Sequence, residues 1–262
     1  AACVFKPRKY RTSIFYAVGV FTRTVEDTAI ILGVLARHDP RDPVSSHAEA
    51  ADFSAALGAP RKPPSIGLVS NMMEGRTSPE VSQHTVAVIG QLAEAGASVE
   101  EVSVPLDLED LLAAHRVIMS AEAATVHESD FRTRPDDYGP KVRALIEEGF
   151  LTPALTYIQA QRVRRLFLTH MKEVVRGFDV LIGPTTPSPA PRDLNTTGDP
   201  AYQAPWTACG FPSLTLPSGL SASGLPLGIQ LASPPLAEQQ LLVAAQWCEQ
   251  VLDFAETPPL AA

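Results

Sequence analysis

The stretch from Asp179 to Pro235 constrains this chain more than any other, because short apolar runs there alternate with the prolines that end them. It reads DVLIGPTTPSPAP and, farther on, PWTACGFPSLTLPSGLSASGLPLGIQLASPP. The run Asp179–Ile182 before Gly183-Pro184 predicts a buried strand feeding a loop. Pro184, Pro187, Pro189 and Pro191 fix φ and remove backbone donors, so the loop is stiff and cannot extend the ladder. Ser213–Leu216, between Pro212 and Pro217, predicts a second strand, and Leu225–Leu231 a third. Gly228 inside the third marks a bulge or a close backbone approach. Ser218–Gly224 reads as a hydrophilic hairpin turn. Leu236–Leu252 carries Leu241, Leu242, Ala245, Cys248 and Val251–Leu252 at amphipathic-helix spacing. The pattern alone describes the edge of an α/β sheet.

Upstream, Ser65–Val69 and Val99–Val104 predict strands on either side of a helix over Ser78–Ala95. Ser78 is a natural N-cap with Pro79 at the first helical position, and Gly96 stops the helix. Val81, Thr85, Val88, Ile89, Leu92 and Ala93 form its apolar stripe. Strand, helix, strand over this distance predicts a right-handed parallel crossover. Leu106–Val126 and Lys141–Val175 read as mostly helical. The nearest candidate linker is Asp42–Pro64, rich in Ala, Pro and Ser. The fold class these elements predict is α/β.

Twenty-one Lys and Arg against 29 Asp and Glu give a net charge of −8, which argues against a general nucleic-acid surface. No apolar stretch approaches the length of a membrane span, and no signal peptide is visible. Cys3, Cys209 and Cys248 are odd in number and far apart, which suits reduced thiols in a cytoplasm. The six His residues have no metal-ligand spacing, and neither a metal nor a cofactor is expected.

Four motifs now stand in order: Asp179–Pro187, Gly210–Gly219, Gly224–Gln230, and Glu238 with Leu241-Leu242. They resemble the C-terminal end of the amidase signature family, which includes bacterial amidases and the glutamyl-tRNA amidotransferase's A subunit. Upstream, Gly19–Asp27 is similar to the family's Arg-Thr-Val-x-Asp segment, followed by a helix with Ala29, Ile30, Gly33 and Val34 at helical spacing. His38–Pro43, Tyr138–Gly149 and Tyr157–Arg164 resemble three further family motifs, and Ala1–Pro7 a compressed fourth. The likeness runs nearly end to end, against the C-terminal half of a typical member, and implies an α/β fold with a mixed β-sheet flanked by helices.

The resemblance implies hydrolysis of carboxamide C–N bonds by a Ser nucleophile, a second Ser and a Lys. A weak hydroxyl needs an adjacent base, which a desolvated Lys can supply, and glycines let backbone N–H groups cup the oxyanion. This chain has no Gly-Gly dipeptide, no Ser-x-x-Lys and no Gly-x-Ser-x-Gly. Ser13, Ser218, Ser221 and Ser223 are not in nucleophile contexts, and none of Lys6, Lys9, Lys62, Lys141 and Lys172 carries over as the base. No catalytic residue is therefore expected within residues 1–262, which read as a partial amidase domain lacking its N-terminal catalytic half. The span from Lys6-Pro7 to Gly19 is also shorter than the family's usual spacing, through trimmed loops or a degraded frame.

The resemblance and the loop positions suggest Arg164, Thr185, Thr186, Trp206 and Cys209 as walls of a substrate cleft. The ordinary alternatives are an ion pair or a snorkelling side chain for Arg164, and packing for the others. Arg23 and Asp27, four apart at a helix start, suggest local pairing and capping. Three functions stay open: an amidase, an inactive remnant or half of a split amidase, and a ligand-binding module without chemistry. The expected partners are a small-molecule amide and either the N-terminal half or a second copy of the chain. A C-terminal half alone should expose apolar surface and be poorly soluble or oligomeric.

Overall fold

The computed structural model describes residues 2–3, 18–40, 47, 52–58, 62–104 and 107–257. Lys6, Lys9, Ser13 and most of the Ala1–Pro7 motif lie outside the described residues, as do Arg41–Pro43. Strands β1 (Ala2–Cys3) and β2 (Val18–Gly19) pair antiparallel. Helix α1 (Val25–Leu35) follows, capped by Thr24, whose hydroxyl accepts from the Asp27 N–H at 3.0 Å. Its buried face is Val25, Thr28, Ala29 and Leu32, while Ile30 and Val34 face outward. The spacing of Ala29, Ile30, Gly33 and Val34 marks the helix but not the side it buries.

Helix α2 (Phe53–Leu57) lies in the segment read as a linker. Phe53 and Leu57 are buried in the core, so residues 52–58 are part of the packed body. A composition rich in Ala concealed two anchoring side chains spaced one helical turn apart.

Strands β3 (Ser65–Val69) and β4 (Ser98–Val102) run parallel, with helix α3 (Pro79–Glu94) between them, as the strand, helix, strand order predicts. The Ser78 hydroxyl caps α3 by accepting from Val81 N–H, and Gly96 turns the chain at φ +107°. Three helices come next: α4 (Leu108–Thr133), α5 (Pro140–Leu151) and α6 (Ala154–Val175).

Strand β5 (Val180–Pro184) pairs parallel with β3 on one side and antiparallel with β7 (Pro226–Ala232) on the other. Strand β6 (Ser213–Leu220) pairs with β7, giving the order β4-β3-β5-β7-β6. The sheet is mixed, with β4 and β6 at its edges. β6 runs farther than Ser213–Leu216, passing through Pro217 at a register shift between Pro217 and Gly219. An edge strand tolerates a proline because its missing N–H costs no ladder bond on the open side. The hairpin turn is accordingly shorter than expected, closed by Ser221 N–H to the Leu225 carbonyl at 2.8 Å.

Alternation along β5 sends Val180 and Ile182 to one face and Leu181 to the other, and all three are fully buried. The first face packs on α1, α2, α3 and helix α8 (Glu238–Leu252), through Val88, Leu92, Leu241, Leu242, Ala245 and Cys248. The second packs on α4, α6 and helix α7 (Ala204–Cys209), through Leu111, Phe167, Met171, Trp206 and Cys209. A sheet covered on both faces explains why β5 reads as a continuous apolar run. Apolar side chains remain exposed on α5 and α6, namely Val142, Phe150, Leu151, Leu155, Ile158 and Leu166.

Candidate functional site

Beyond Pro184 the chain leaves the sheet, and a cleft of about 360 Å³ opens between the loop it forms and the β6–β7 hairpin. The loop supplies residues 185–191 and 197–199, and the hairpin supplies Thr215, Pro217 and Pro226 to Gly228. Thr185 forms part of the floor. Its N–H donates to the Gly228 carbonyl at 3.0 Å, and its own carbonyl accepts from the Gln203 amide. Its hydroxyl is buried with no hydrogen-bond partner. A Cβ at Gly228 would stand 3.0 Å from that hydroxyl and 2.9 Å from the Leu216 carbonyl oxygen, so this is the close approach that the glycine predicts. Thr186 is exposed and turns its hydroxyl back onto the Ser188 carbonyl at 2.8 Å.

Three contacts hold the far end of the loop. Ser78 N–H donates to the Pro187 carbonyl at 2.8 Å. The Tyr202 and Thr77 hydroxyls share a 2.6 Å bond. Arg76 donates to Asp199 at 3.1 Å through Nη1 and to Glu109 through Nε and Nη2. Glu109, by hydrogen bond and charge, raises the Arg76 pKa further above its ordinary value, with a smaller contribution from Asp199.

The other three candidate residues cluster where α6 meets α7. Trp206 is buried and donates its indole N–H to Gln230 Oε1 at 3.0 Å, while the Gln230 amide donates to Ser213 Oγ at 3.2 Å. Trp206 also stacks on Phe211, with ring centroids 6.5 Å apart. Gly210, at φ +67°, ends α7 and lets Phe211 N–H reach back to the Trp206 carbonyl at 3.0 Å. Arg164 donates to the Ala208 carbonyl at 3.0 Å and to Gln161 Oε1 at 3.0 Å. Its guanidinium therefore braces the end of α7, which is neither of the roles the sequence suggests by default. Cys209 is buried beside it. Burial pushes the thiol up to about 12, against the smaller opposing influence of Arg164 and Lys172.

Thr185 and Thr186 thus line the cleft, whereas Trp206 and Cys209 lie in the packed layer next to it and Arg164 is half-buried. Arg76, Asp199, Gln203 and Tyr202 hold the loop and carry no local sequence signal, since each pairs across at least 18 residues. His84, likewise unmarked, bonds through Nε2 to Ser218 Oγ at 2.7 Å and braces the hairpin against α3. Among the described residues no group of His, Cys, Asp and Glu could hold a metal ion, and no helix is long and apolar enough to cross a membrane.

Comparison with known proteins covers most of the chain. The amidase family model aligns with residues 6–242. An amidase of Pseudomonas putida is 37% identical over 92% of this chain and 54% of its own length. From Halothermothrix orenii, the glutamyl-tRNA(Gln) amidotransferase's A subunit is 30% identical over 92% of this chain and 57% of its own. The chain thus spans somewhat over half the length of these curated relatives. Among solved structures, an inhibitor-bound protein from a vestigial complex tied to the origins of an s-triazine catabolic enzyme superposes with TM-score 0.76. It is 28% identical, and the match covers 88% of this chain and 52% of that one. A crystal structure of an amidase, 24% identical over 87% of this chain and 51% of its own, gives 0.72 and supports the fold alone. By its motifs, its mixed sheet and these matches, the chain belongs to the amidase family.

Proposed function

We propose that this chain forms the substrate-side wall of a hydrolase that cleaves carboxamide C–N bonds. In this reading residues 1–262 are a partial amidase domain, and the Ser, Ser and Lys come from the part of the family fold that the chain does not span. One observation carries the reading. The motifs 179–187, 210–219 and 224–230 pair in one sheet, and Thr185 to Pro187, Thr215, Pro217 and Pro226 to Gly228 from them line one proline-walled cleft, with the Gln230–Trp206 bond beside it. Rigid walls position a substrate at little ordering cost, which is the contribution a non-reacting half can make to catalysis. Arg164, Trp206 and Cys209 serve the cleft by fixing the α6–α7 junction rather than by touching substrate.

The partners that follow are a small-molecule amide and either the complementary half of the fold or a second copy. Exposed Leu151, Leu155, Ile158 and Leu166 offer apolar surface for such a contact. Buried, unpaired Cys209 and Cys248 support a reducing, cytoplasmic location. The test is an assay of the purified chain against simple aliphatic and aromatic amides, with and without a serine-directed phosphonate. The reading predicts no turnover by the chain alone. Turnover that the phosphonate leaves untouched would overturn the inherited Ser chemistry.

A further inference from the structure

No sequence motif marks Ser218, yet the fold brings an imidazole to it from 134 residues away. His84, on α3, stands with Nε2 2.7 Å from Ser218 Oγ, within the reach expected of a nucleophile and its base. Both residues are half-buried and keep part of their surface in solvent.

The local structure sets this pair. Ser218 sits at the register shift of β6, where Pro217 pairs with Gly228 and Gly219 with Leu227, so it is the extra residue of a bulge. Bulges on edge strands re-aim a side chain, and they recur beside active sites. Gly219 supplies the room, since a Cβ there would stand 2.6 Å from His84 Cε1 and 3.4 Å from Nε2. Glu80, one turn before His84 on α3, accepts from the Ala222 N–H at 2.6 Å and ties the hairpin tip to the same helix. The hairpin from Ser213 to Leu231 carries no charged side chain.

The protons are placed for transfer. Burial holds the His84 pKa below its ordinary 6.5, so the ring is neutral at neutral pH and, with its proton on Nδ1, accepts at Nε2. The Leu227 carbonyl lies 3.5 Å from Ser218 Oγ, at the limit of hydrogen bonding, and competes weakly for the hydroxyl proton. The neighbouring serines differ. Ser221 and Ser223 bond to each other at 3.0 Å, and Ser221 also accepts from the Leu225 N–H at 3.0 Å. Among the described residues no carboxylate bonds to the His84 ring, so the pair is a dyad. A dyad suits acyl donors whose leaving group departs as a stable anion, because little acid assistance is then needed.

We propose that Ser218 and His84 form a nucleophile–base pair that takes acyl groups from activated aryl esters. Neither residue lines the proline-walled cleft. Ser218 Oγ attacks the ester carbonyl carbon as its proton passes to His84 Nε2. The C–O bond to the aryl oxide breaks, and the aryl oxide takes up that proton. Water then adds to the acyl-Ser218 ester with His84 again as base, which releases the carboxylic acid and restores the hydroxyl.

The experiment is treatment of the 262-residue chain with diisopropyl fluorophosphate at mildly alkaline pH, the adduct being located by peptide mapping and mass spectrometry. Ser218 should carry the adduct, with Ser221 and Ser223 unlabelled. General-base assistance contributes about 10²–10⁴-fold, so His84→Gln should slow labelling at least about 100-fold while keeping a hydrogen-bonding side chain against the hairpin. Gly219→Ala should displace the ring, a side chain with freedom to move, and slow labelling likewise. Wild-type labelling should also fall as the pH drops below about 6.5 and His84 takes up a proton. With para-nitrophenyl acetate the chain should give a burst of nitrophenolate that Ser218→Ala abolishes. A pair that only braces the hairpin would show none of this. No adduct at Ser218, or labelling at an equal rate in His84→Gln, would overturn the proposal. The wild-type map decides the matter if a variant does not fold. No amide enters the assay, so amide hydrolysis is judged separately by turnover once the fold is completed.

Discussion

Replacing Gly149 by Ala should destabilise the helical layer, although helix propensity taken alone predicts the opposite. Gly149 lies in the last turn of α5, where a Cβ would stand 2.0 Å from the Ser120 carbonyl oxygen, 2.5 Å from its carbon and 2.7 Å from the Ala124 Cβ. Normal contacts lie near 3.5–4.0 Å, so α5 must move from α4 by more than about 1 Å. The obstacle is backbone within a helix and cannot rotate away. Ser120 itself is fully buried, and Ala123, Ala124 and Ile146 pack at the same crossing. Overpacking of this kind costs about 1–3 kcal/mol, and a backbone clash belongs at the upper end. Ala gains back about 1 kcal/mol of propensity over Gly. The net loss of about 2 kcal/mol should lower Tm by about 4–8 °C for a chain of this size. Gly90→Ala is the internal control. Gly90 is exposed in α3 with nothing within 4 Å of a Cβ, so the same propensity should raise Tm by about 2–4 °C. Thermal unfolding of the three proteins by far-UV circular dichroism reads both shifts. Two upward shifts of similar size would refute the steric reasoning.

Gln230→Leu removes the acceptor of the buried Trp206 indole N–H and should cost about 1–3 kcal/mol in denaturant unfolding, with the Trp206 emission shifted. Burial lowers the His84 pKa below its ordinary 6.5, and that of His115 likewise, so the folded state holds these protons less tightly than the unfolded one. Stability should therefore be complete above about pH 6.5 and fall as the pH drops below it. His84→Gln should flatten part of that fall, and an unchanged pH profile of Tm would contradict the assignment. Burial pushes the Cys248 thiol up to about 12, as it does Cys209, so peptide mapping after thiol labelling at neutral pH should find both unmodified until denaturant is added. Rapid labelling of either in the folded chain would place it nearer solvent than its burial indicates.

Local punctuation made much of the fold legible. Ser78, Pro79 and Gly96 bound α3 because capping, a proline at the first turn and a left-handed glycine act within a few residues. The apolar run before Pro184 gives β5 because both faces of that strand are covered. What failed required tertiary context. Pro217 ends no strand because β6 is an edge, and edges have no sequence mark of their own. Helical spacing marks α1, but only its packing against α2 and α8 decides that Val25, Thr28, Ala29 and Leu32 turn inward and Ile30 and Val34 stay exposed. At the cleft, the close approach at Gly228 was readable because a glycine inside a strand acts on its own backbone. Arg76, Asp199 and Tyr202 were not, because their partners lie 33, 123 and 125 residues away.

The claim that this chain is one wall of an amide-cleaving cleft is tested most directly by completing the fold. The chain would be mixed with the part of the Pseudomonas putida amidase that it does not match, and hydrolysis of benzamide followed by ammonia release. The account predicts negligible turnover by either piece alone, turnover by the mixture, and its loss on treatment with a serine-directed phosphonate. A soluble complex of the two pieces that releases no ammonia from any simple amide would contradict it.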